Sequence, residues 1–496
     1  MSKHIVVIGG GIAGLATAAL CAQDGHSVTL LEKNKRVGGR AMVFEEKGYT
    51  FDMGPSWYMM PDEFDRFFAL FRKKPSDYMD LHKLKTHYKI FYSNGETITI
   101  TDDLNRTIEI FNQNEHEGGK KLQDFLASSR DLYAFAMKDL VRIDYDGLIP
   151  WELAKPQTLA RMPHIGLLKS YHQKVASSFK DRHLQKLMEF MTVFLGGSPF
   201  NTPAFYSLMA HADFDLGIWY PMGGMYKLVE AFEKLCKDHG VVVKVEHEVQ
   251  KIEVVKGRAT RVMTNRGPID GNVVVCAADY AHVETKLLEK AYQTYPAEYW
   301  KQKTLSPSAL LIYIGLDTKL TNDVEHHSLY LGDEWEKEFE RVYKTKEWSK
   351  DPSYYMCRPT KTDTTIAPDG TDILTVLVPV APGLDDSDEV REAFADKVLE
   401  HIERIIKQDI RNHIVVKRLY SHRDFIRDYY AYEGSAFGIA HTLLQTAIFR
   451  PRNMSSKVKN LYYAGQYTNP GIGLPIGIIS AQIVHNLIKK HESNPS

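Results

Sequence analysis

The chain opens on an apolar run, His-Ile-Val-Val-Ile at residues 4–8, that passes directly into Gly9, Gly11 and Gly14, and a second apolar run at residues 27–31 ends on Glu32. This spacing predicts a βαβ unit: a strand, a tight turn at Gly9, and a helix over residues 15–23 that sits close on the sheet at Gly14. Gly11 lets the backbone approach a pyrophosphate, beside a helix N-terminus whose free N–H groups favour an anion. Glu32 is placed to accept hydrogen bonds from a ribose diol, and its charge disfavours a 2′-phosphate. Glycine-rich turns are common, but here the strand, the helix and the acid all stand where a dinucleotide site requires them.

Residues 34–56 narrow the choice of nucleotide. Asn-Lys-Arg-Val-Gly-Gly-Arg, from Asn34 to Arg40, brings a second glycine pair and further cations to the same pyrophosphate region. Phe51-Asp-Met-Gly-Pro-Ser56 then follows a short predicted strand. This double arrangement resembles the FAD-containing amine oxidase and phytoene desaturase superfamily, and not the NAD dehydrogenases, so the implied cofactor is FAD.

Composition bounds the remainder. A chain of 496 residues with 44% hydrophobic residues can bury a large core in two or three structural units. Its 62 basic residues are balanced by 63 acidic ones, so no strongly basic field draws in nucleic acid. Cys21, Cys236, Cys276 and Cys357 are scattered without CxxC spacing, which indicates neither a disulfide framework nor a zinc site and fits a reducing compartment. The apolar run at residues 5–8 is too short for a signal peptide, and no uninterrupted apolar stretch reaches the ~18 residues of a membrane span. A cytoplasmic protein is expected, with surface attachment to a membrane open.

The predicted class is α/β: a Rossmann-like FAD-binding domain in discontinuous segments, a mixed α+β substrate domain and a helical, membrane-associated insert. Residues 1–110 form the first FAD-binding segment and include a hairpin turning at Asn94-Gly95. Residues 111–220 are the helical segment: Leu122, Phe125, Leu132, Phe135 and Leu140 recur at helical spacing, and the pattern returns from Leu184 to Leu195 before Gly196-Gly197. Residues 221–288 return to the FAD-binding domain with strands at 241–245, 249–254, 260–264 and 272–276. Residues 289–415 form the substrate domain and 416–496 close the FAD-binding domain.

The segment Leu461-Tyr-Tyr-Ala-Gly-Gln-Tyr-Thr-Asn-Pro-Gly-Ile-Gly-Leu-Pro-Ile-Gly supplies a second signal. A strand runs into a loop dense in glycine and proline, and a helix starts near Leu474 with Pro475 at an early position, where its missing N–H costs nothing. The positive helix end suits the pyrimidine edge of a reduced flavin.

Together with Tyr220-Pro-Met-Gly-Gly224, Gly434-Ser-Ala-Phe-Gly438, His441 to Gln445 and Phe449-Arg-Pro-Arg-Asn453, this segment makes the whole chain resemble the bacterial carotenoid desaturases, the phytoene and dehydrosqualene desaturase group. Members commonly carry His before the proline of the last motif, where this chain has Asn469-Pro470. The resemblance implies that FAD is held by Gly9, Gly11, Ala13, Gly14, Glu32, Lys33, Gly38, Gly39, Arg40, Gly54, Pro55, Ser56, Val249, Gly465, Gln466, Gly473, Leu474 and Pro475. It also implies a peripheral membrane enzyme that desaturates a long polyisoprenoid of C40 or C30 length by hydride loss to flavin and proton loss, with oxygen or a quinone as final acceptor.

A hydrocarbon substrate needs an aliphatic and aromatic tunnel, and Phe190, Met191, Phe194, Phe205, Tyr206, Met209, Phe214 and Trp219 are candidate lining. Residues 148–179, where basic and aromatic residues mix with aliphatics, are a candidate interfacial segment. No catalytic residue is assigned: Asp213, Asp215 and Glu433 are unranked as bases. His441 and Arg450 stand in a family pattern, and read equally as functional residues and as a merely structural hydrogen-bonded histidine and surface arginine. Carotenoid isomerase, terminal-methyl oxygenase and a non-catalytic carotenoid carrier on the same fold remain open.

Overall fold

The computed structural model describes residues 2–145 and 155–492. Five parallel strands form one sheet, in the order Leu461–Tyr463, Val273–Cys276, His4–Ile8, Ser27–Leu31, Val242–Lys244. Parallel strands are covered on both faces. Accordingly Val273–Cys276 is buried throughout, and the first two strands are buried from their second residue on.

Helix Ile12–Gln23 makes the crossover and starts three residues before the predicted position. Its small residues, Ala16, Ala18 and Ala19, let it lie between the sheet and helices Tyr226–Asp238 and Leu474–Glu492. A Cβ on Gly14 would fall 2.0 Å from the Gly9 carbonyl oxygen, so only glycine permits this helix–strand approach.

The second sheet has seven strands, in the order Ile414–Tyr420, Ser308–Leu316, Asp372–Val380, Tyr354–Cys357, His327–Leu331, Thr86–Tyr92, Thr97–Thr101. All neighbours are antiparallel except His327–Leu331 with Thr86–Tyr92. The hairpin turning at Asn94-Gly95 and the strand Ile414–Tyr420 therefore lie outside the nucleotide sheet, where segments 1–110 and 416–496 would put them. Helix Asp388–Ile406 covers one face with Phe394, Val398, Leu399 and Ile402.

The predicted meander is present as Val249–Val255 and Arg258–Thr264, with a further strand, Gly267–Asp270, too short and too proline-interrupted to read from pattern. Helix Gly118–Asp139 heads the helical region, followed by Tyr171–Ser178 and Arg182–Glu189. The last of these tightens to a 3-10 helix over Phe190–Leu195 before Gly196, at φ 63°, ends it.

Of the candidate interfacial segment, residues 148–154 lie outside the described residues. The rest buries Ile165, Tyr171 and Val175 but leaves Leu159 56% and Leu168 93% exposed. Among the described residues no helix is long and apolar enough to cross a membrane. The four cysteines are free and buried.

Candidate functional site

A cavity of about 630 Å3 lies at the carboxyl ends of the parallel strands, the crevice where open α/β sheets take their ligands. Every residue assigned to FAD from the sequence lines it except Gly14, which acts from behind through the helix–strand contact.

At the nucleotide end, Gly9 turns at φ 103°. Glu32 Oε2 accepts the Gly10 N–H at 2.9 Å, Oε1 accepts the Asn34 N–H at 2.8 Å, and Gly38 N donates to Gly10 O at 2.8 Å. Burial pushes the Glu32 carboxyl upward and these backbone donors oppose it. Glu32 thus fastens the two glycine loops to each other as well as offering a carboxylate at the cavity wall. A Cβ on Gly11 would meet only Gly39 Cα, at 3.9 Å. Its open face points into the cradle, which fits a phosphate group drawn against bare backbone.

Arg40 is the cation of the second loop that reaches the cavity; Lys35 and Arg36 are exposed and do not line it. Its guanidinium lies 4.0 Å from Asp279, and its Nε is buried without a hydrogen-bond partner. With its side-chain amide turned so that the oxygen faces Arg40, the orientation that satisfies both groups, Gln466 accepts from both Nη atoms at 3.2 Å. Asp279 also accepts from Tyr467 Oη at 2.7 Å and from His282 N at 3.1 Å. Burial raises its carboxyl against the opposing charge of Arg40. Lys33 turns away, donating to Arg427 O and lying 3.7 Å over the Tyr430 ring.

In the closing segment, Gly465 and Gly473 take φ 120° and 125°, and residues 473–477, spanning the start of helix Leu474–Glu492, all line the cavity. The loop is held from beneath by Arg450, which is buried, not a surface arginine. Its guanidinium donates to the carbonyls of Ile439, Gln445, Gln466 and Thr468. Desolvation pulls its pKa down to about 10. His441 lines the cavity with Nδ1 2.8 Å from Leu195 O, and burial takes it down to about 3, so it is neutral.

The far half of the cavity is apolar. Of the candidate tunnel residues, Phe194, Phe205, Tyr206 and Met209 line it, whereas Phe190, Met191, Phe214 and Trp219 do not. Met137 in the last turn of the long helix, with Leu140, Val141 and Tyr145 beyond its end, completes the wall. None of Asp213, Asp215 and Glu433 reaches the cavity. Asp213 is buried against Tyr88 Oη, Asp215 pairs with Arg130 and His211, and Glu433 faces Lys346.

Sequence reasoning did not pick out Asp279, Trp57 or Tyr355, all of which line the cavity. Asp279 had a signal, since it follows the buried strand Val273–Cys276 at its carboxyl end.

The profile of the family described as flavin containing amine oxidoreductase matches residues 12–484. The chain is 41% identical over 480 residues to the carotenoid 3,4-desaturase of Haloarcula japonica, covering 97% of each. It is 32% identical over 503 residues to the 4,4'-diapophytoene desaturase (4,4'-diaponeurosporene-forming) of Staphylococcus aureus, covering 98% of this chain and 99% of that one. Among solved structures, putrescine oxidase bound to putrescine superposes with a TM-score of 0.62 at 16% identity, covering 99% of this chain and 100% of that one. An oxidoreductase from Methanosarcina mazei superposes at 0.61 with 18% identity, covering 97% and 100%. These two establish a shared fold. The bare-glycine cradle, the helix N-terminus aimed into it and the two sequence relationships together place this chain in the carotenoid desaturase family of the flavin-containing amine oxidoreductases, with FAD as its cofactor.

Proposed function

We propose that this protein desaturates an acyclic carotenoid held in the apolar half of the cavity, with its reacting carbons against the flavin. The observation that carries the proposal is the character of that half: among the described residues of the stretch 137–209, none that lines the cavity wall has a charged side chain. A protonated amine would need a counter-charge there, whereas a polyene needs only shape and dispersion contact.

When bound, FAD supplies the hydride acceptor for an allylic C–H bond of the substrate. Proton loss from the adjacent carbon then completes the new double bond. The chain contributes positioning. Glu32 and the glycine loops fix the nucleotide end, and Arg450 holds the 465–473 loop. Phe194, Phe205, Tyr206 and Met209 confine the hydrocarbon and exclude water.

The substrate arrives from a membrane surface. Leu443, Ile448 and Phe449 line the cavity yet are 37%, 52% and 50% exposed, and Leu444 beside them is 68% exposed. Met162, Ile165 and Leu167 line it from the segment that exposes Leu159 and Leu168. An apolar rim around an apolar cavity is suited to drawing a lipid-dissolved chain out of the bilayer interface.

The identity to the Haloarcula protein favours the 3,4 position of a carotenoid, with a phytoene-like C40 or a C30 precursor as the second reading. The test is reconstitution with FAD and liposomes carrying phytoene, dehydrosqualene or an already conjugated acyclic carotene, under air or with a quinone. Longer-wavelength polyene bands that depend on FAD, with a mass loss of two hydrogens per new bond, are expected for one substrate. Unchanged mass with an altered spectrum would mean isomerisation, added oxygen would mean oxygenation, and unchanged recovery of every hydrocarbon would overturn the proposal.

A further inference from the structure

Away from the nucleotide cradle, three side chains of ligand type meet in the seven-stranded sheet. Strand His327–Leu331 follows His326, and Cys357 ends the antiparallel neighbour Tyr354–Cys357, with His327 directly opposite Cys357 in register. One ring nitrogen of each histidine and the Cys357 Sγ lie within 4.8 Å of one another, and all three residues are buried.

Each imidazole is held by its Nδ1. His326 Nδ1 lies 2.7 Å from Thr362 Oγ1 and His327 Nδ1 lies 2.6 Å from Tyr355 Oη. The Nε2 atoms of both are buried with no hydrogen-bond partner. In the tautomer whose Nδ1–H donates to the hydroxyl oxygen, Nε2 keeps an unshared lone pair, the bracing by which a metal-binding histidine is normally oriented. Two such unpaired acceptors side by side are rare in a folded core and call for an ion or a water. A cavity of about 20 Å3, room for a single water-sized particle, adjoins His326 and Cys357, with His327 behind its wall. Its wall includes His326, Cys357, Tyr355, Ser56 and Tyr220, and the Tyr220 hydroxyl is likewise buried without a partner.

We propose that His326, His327 and Cys357 bind a divalent transition metal of the zinc class, with a fourth ligand drawn from the small cavity. Two neutral imidazoles and a thiolate form a borderline-soft set that suits zinc and disfavours magnesium and calcium. On binding, the Cys357 thiol proton leaves to solvent and the sulfur takes up the metal bond. Tetrahedral bonds of roughly 2.0–2.3 Å set ligand atoms about 3.5 Å apart, so binding draws together three ligand atoms that lie within 4.8 Å of one another.

The site braces the large cavity without belonging to the cradle. Trp57 stacks on the His327 ring at 4.6 Å and 22°, and Tyr355 Oη is 2.8 Å from Ser56 Oγ. Ser56, Trp57 and Tyr355 all line the large cavity.

The test uses the FAD-loaded protein, so its outcome is independent of which substrate is turned over. After equilibration with zinc and dialysis, the wild type is expected to retain one zinc per chain. Cobalt(II), used as a probe, is expected to give a thiolate-to-cobalt charge-transfer band that Cys357→Ser abolishes. His326→Gln should weaken cobalt binding about 10-fold or more. Zinc should raise the melting temperature of the wild type and not that of Cys357→Ser, with flavin content checking that each variant is folded. A wild type that holds no zinc above the level of Cys357→Ser, or that gives no charge-transfer band, overturns the proposal whatever the variants do and leaves the small cavity to a water.

Discussion

Glu32 Oε2 accepts the backbone N–H of Gly10 at 2.9 Å. The residue read as a ribose partner is therefore also the clamp between the first glycine turn and the loop at Asn34. Glu32→Gln replaces one acceptor with an NH2 facing an N–H donor. Loss of a hydrogen bond to a charged group costs roughly 1.5–3 kcal/mol, so the FAD dissociation constant should rise about 10- to 100-fold. Flavin fluorescence titration measures it, and an unchanged constant would remove Glu32 from the site.

Gly11 and Gly14 look alike in the motif but face opposite sides of the backbone. A Cβ on Gly11 meets only Gly39 Cα at 3.9 Å, whereas a Cβ on Gly14 would fall 2.0 Å from Gly9 O. Gly11→Ala should leave the melting temperature of the apoprotein unchanged while abolishing FAD retention. Gly14→Ala should lower the melting temperature itself. Equal effects of the two changes on apoprotein melting would contradict this division.

Arg450→Lys keeps the charge but cannot serve the four carbonyls that the planar guanidinium reaches. Buried acceptors left unpaired cost about 1–3 kcal/mol each, so a loss of at least about 3 kcal/mol in stability is expected. Chemical denaturation of the FAD-loaded protein gives the value. A cost under about 1 kcal/mol would mean that water replaces the guanidinium.

The nucleotide half was legible because its requirements are local. Residues 4–14 and Glu32, then residues 461–477, each carry their turn, strand and helix signals within one short stretch. The substrate half was not, because its sheet joins strands from residues 86–101, 308–380 and 414–420, and no single stretch encodes that pairing. The tunnel residues were half right for a related reason. Phe190 and Phe194 stay in edge contact at 6.1 Å and both pack on Trp57, but under the 3-10 winding of Phe190–Leu195 only Phe194 reaches the cavity. Phe190 is left in the core against Tyr88, and Phe194 turns to the cavity. Trp57, His327 and Tyr355 come from three distant segments, and only the folded sheet brings them into contact.

Leu168 and Leu444 are 93% and 68% exposed and do not line the cavity, so changing them spares the cradle. Leu168→Glu and Leu444→Glu should each lower partitioning onto liposomes about 10-fold, the effect of withdrawing one leucine from an apolar phase. Flavin content should stay at the wild-type level. Turnover should fall for liposome-borne substrate and persist for detergent-dispersed substrate. Unaltered cosedimentation of both variants with liposomes would move the docking face elsewhere.

Asp213 ties stability to pH without touching the cavity. Its Oδ2 accepts from Tyr88 Oη at 2.8 Å, its Oδ1 is buried with no partner, and burial pushes its pKa from 3.8 up to about 7. Between those values the folded protein holds a proton that the unfolded chain has released, so stability from this group falls as pH rises from about 4 to about 7 and is level above. Asp213→Asn keeps the acceptor for Tyr88 and removes the charge. It should therefore stabilise the protein more at pH 8 than at pH 5.5, by a difference of about 2 kcal/mol. Denaturant midpoints of wild type and variant at the two pH values measure that difference, and an equal effect at both would show that Asp213 is already neutral, or already charged, across the whole interval.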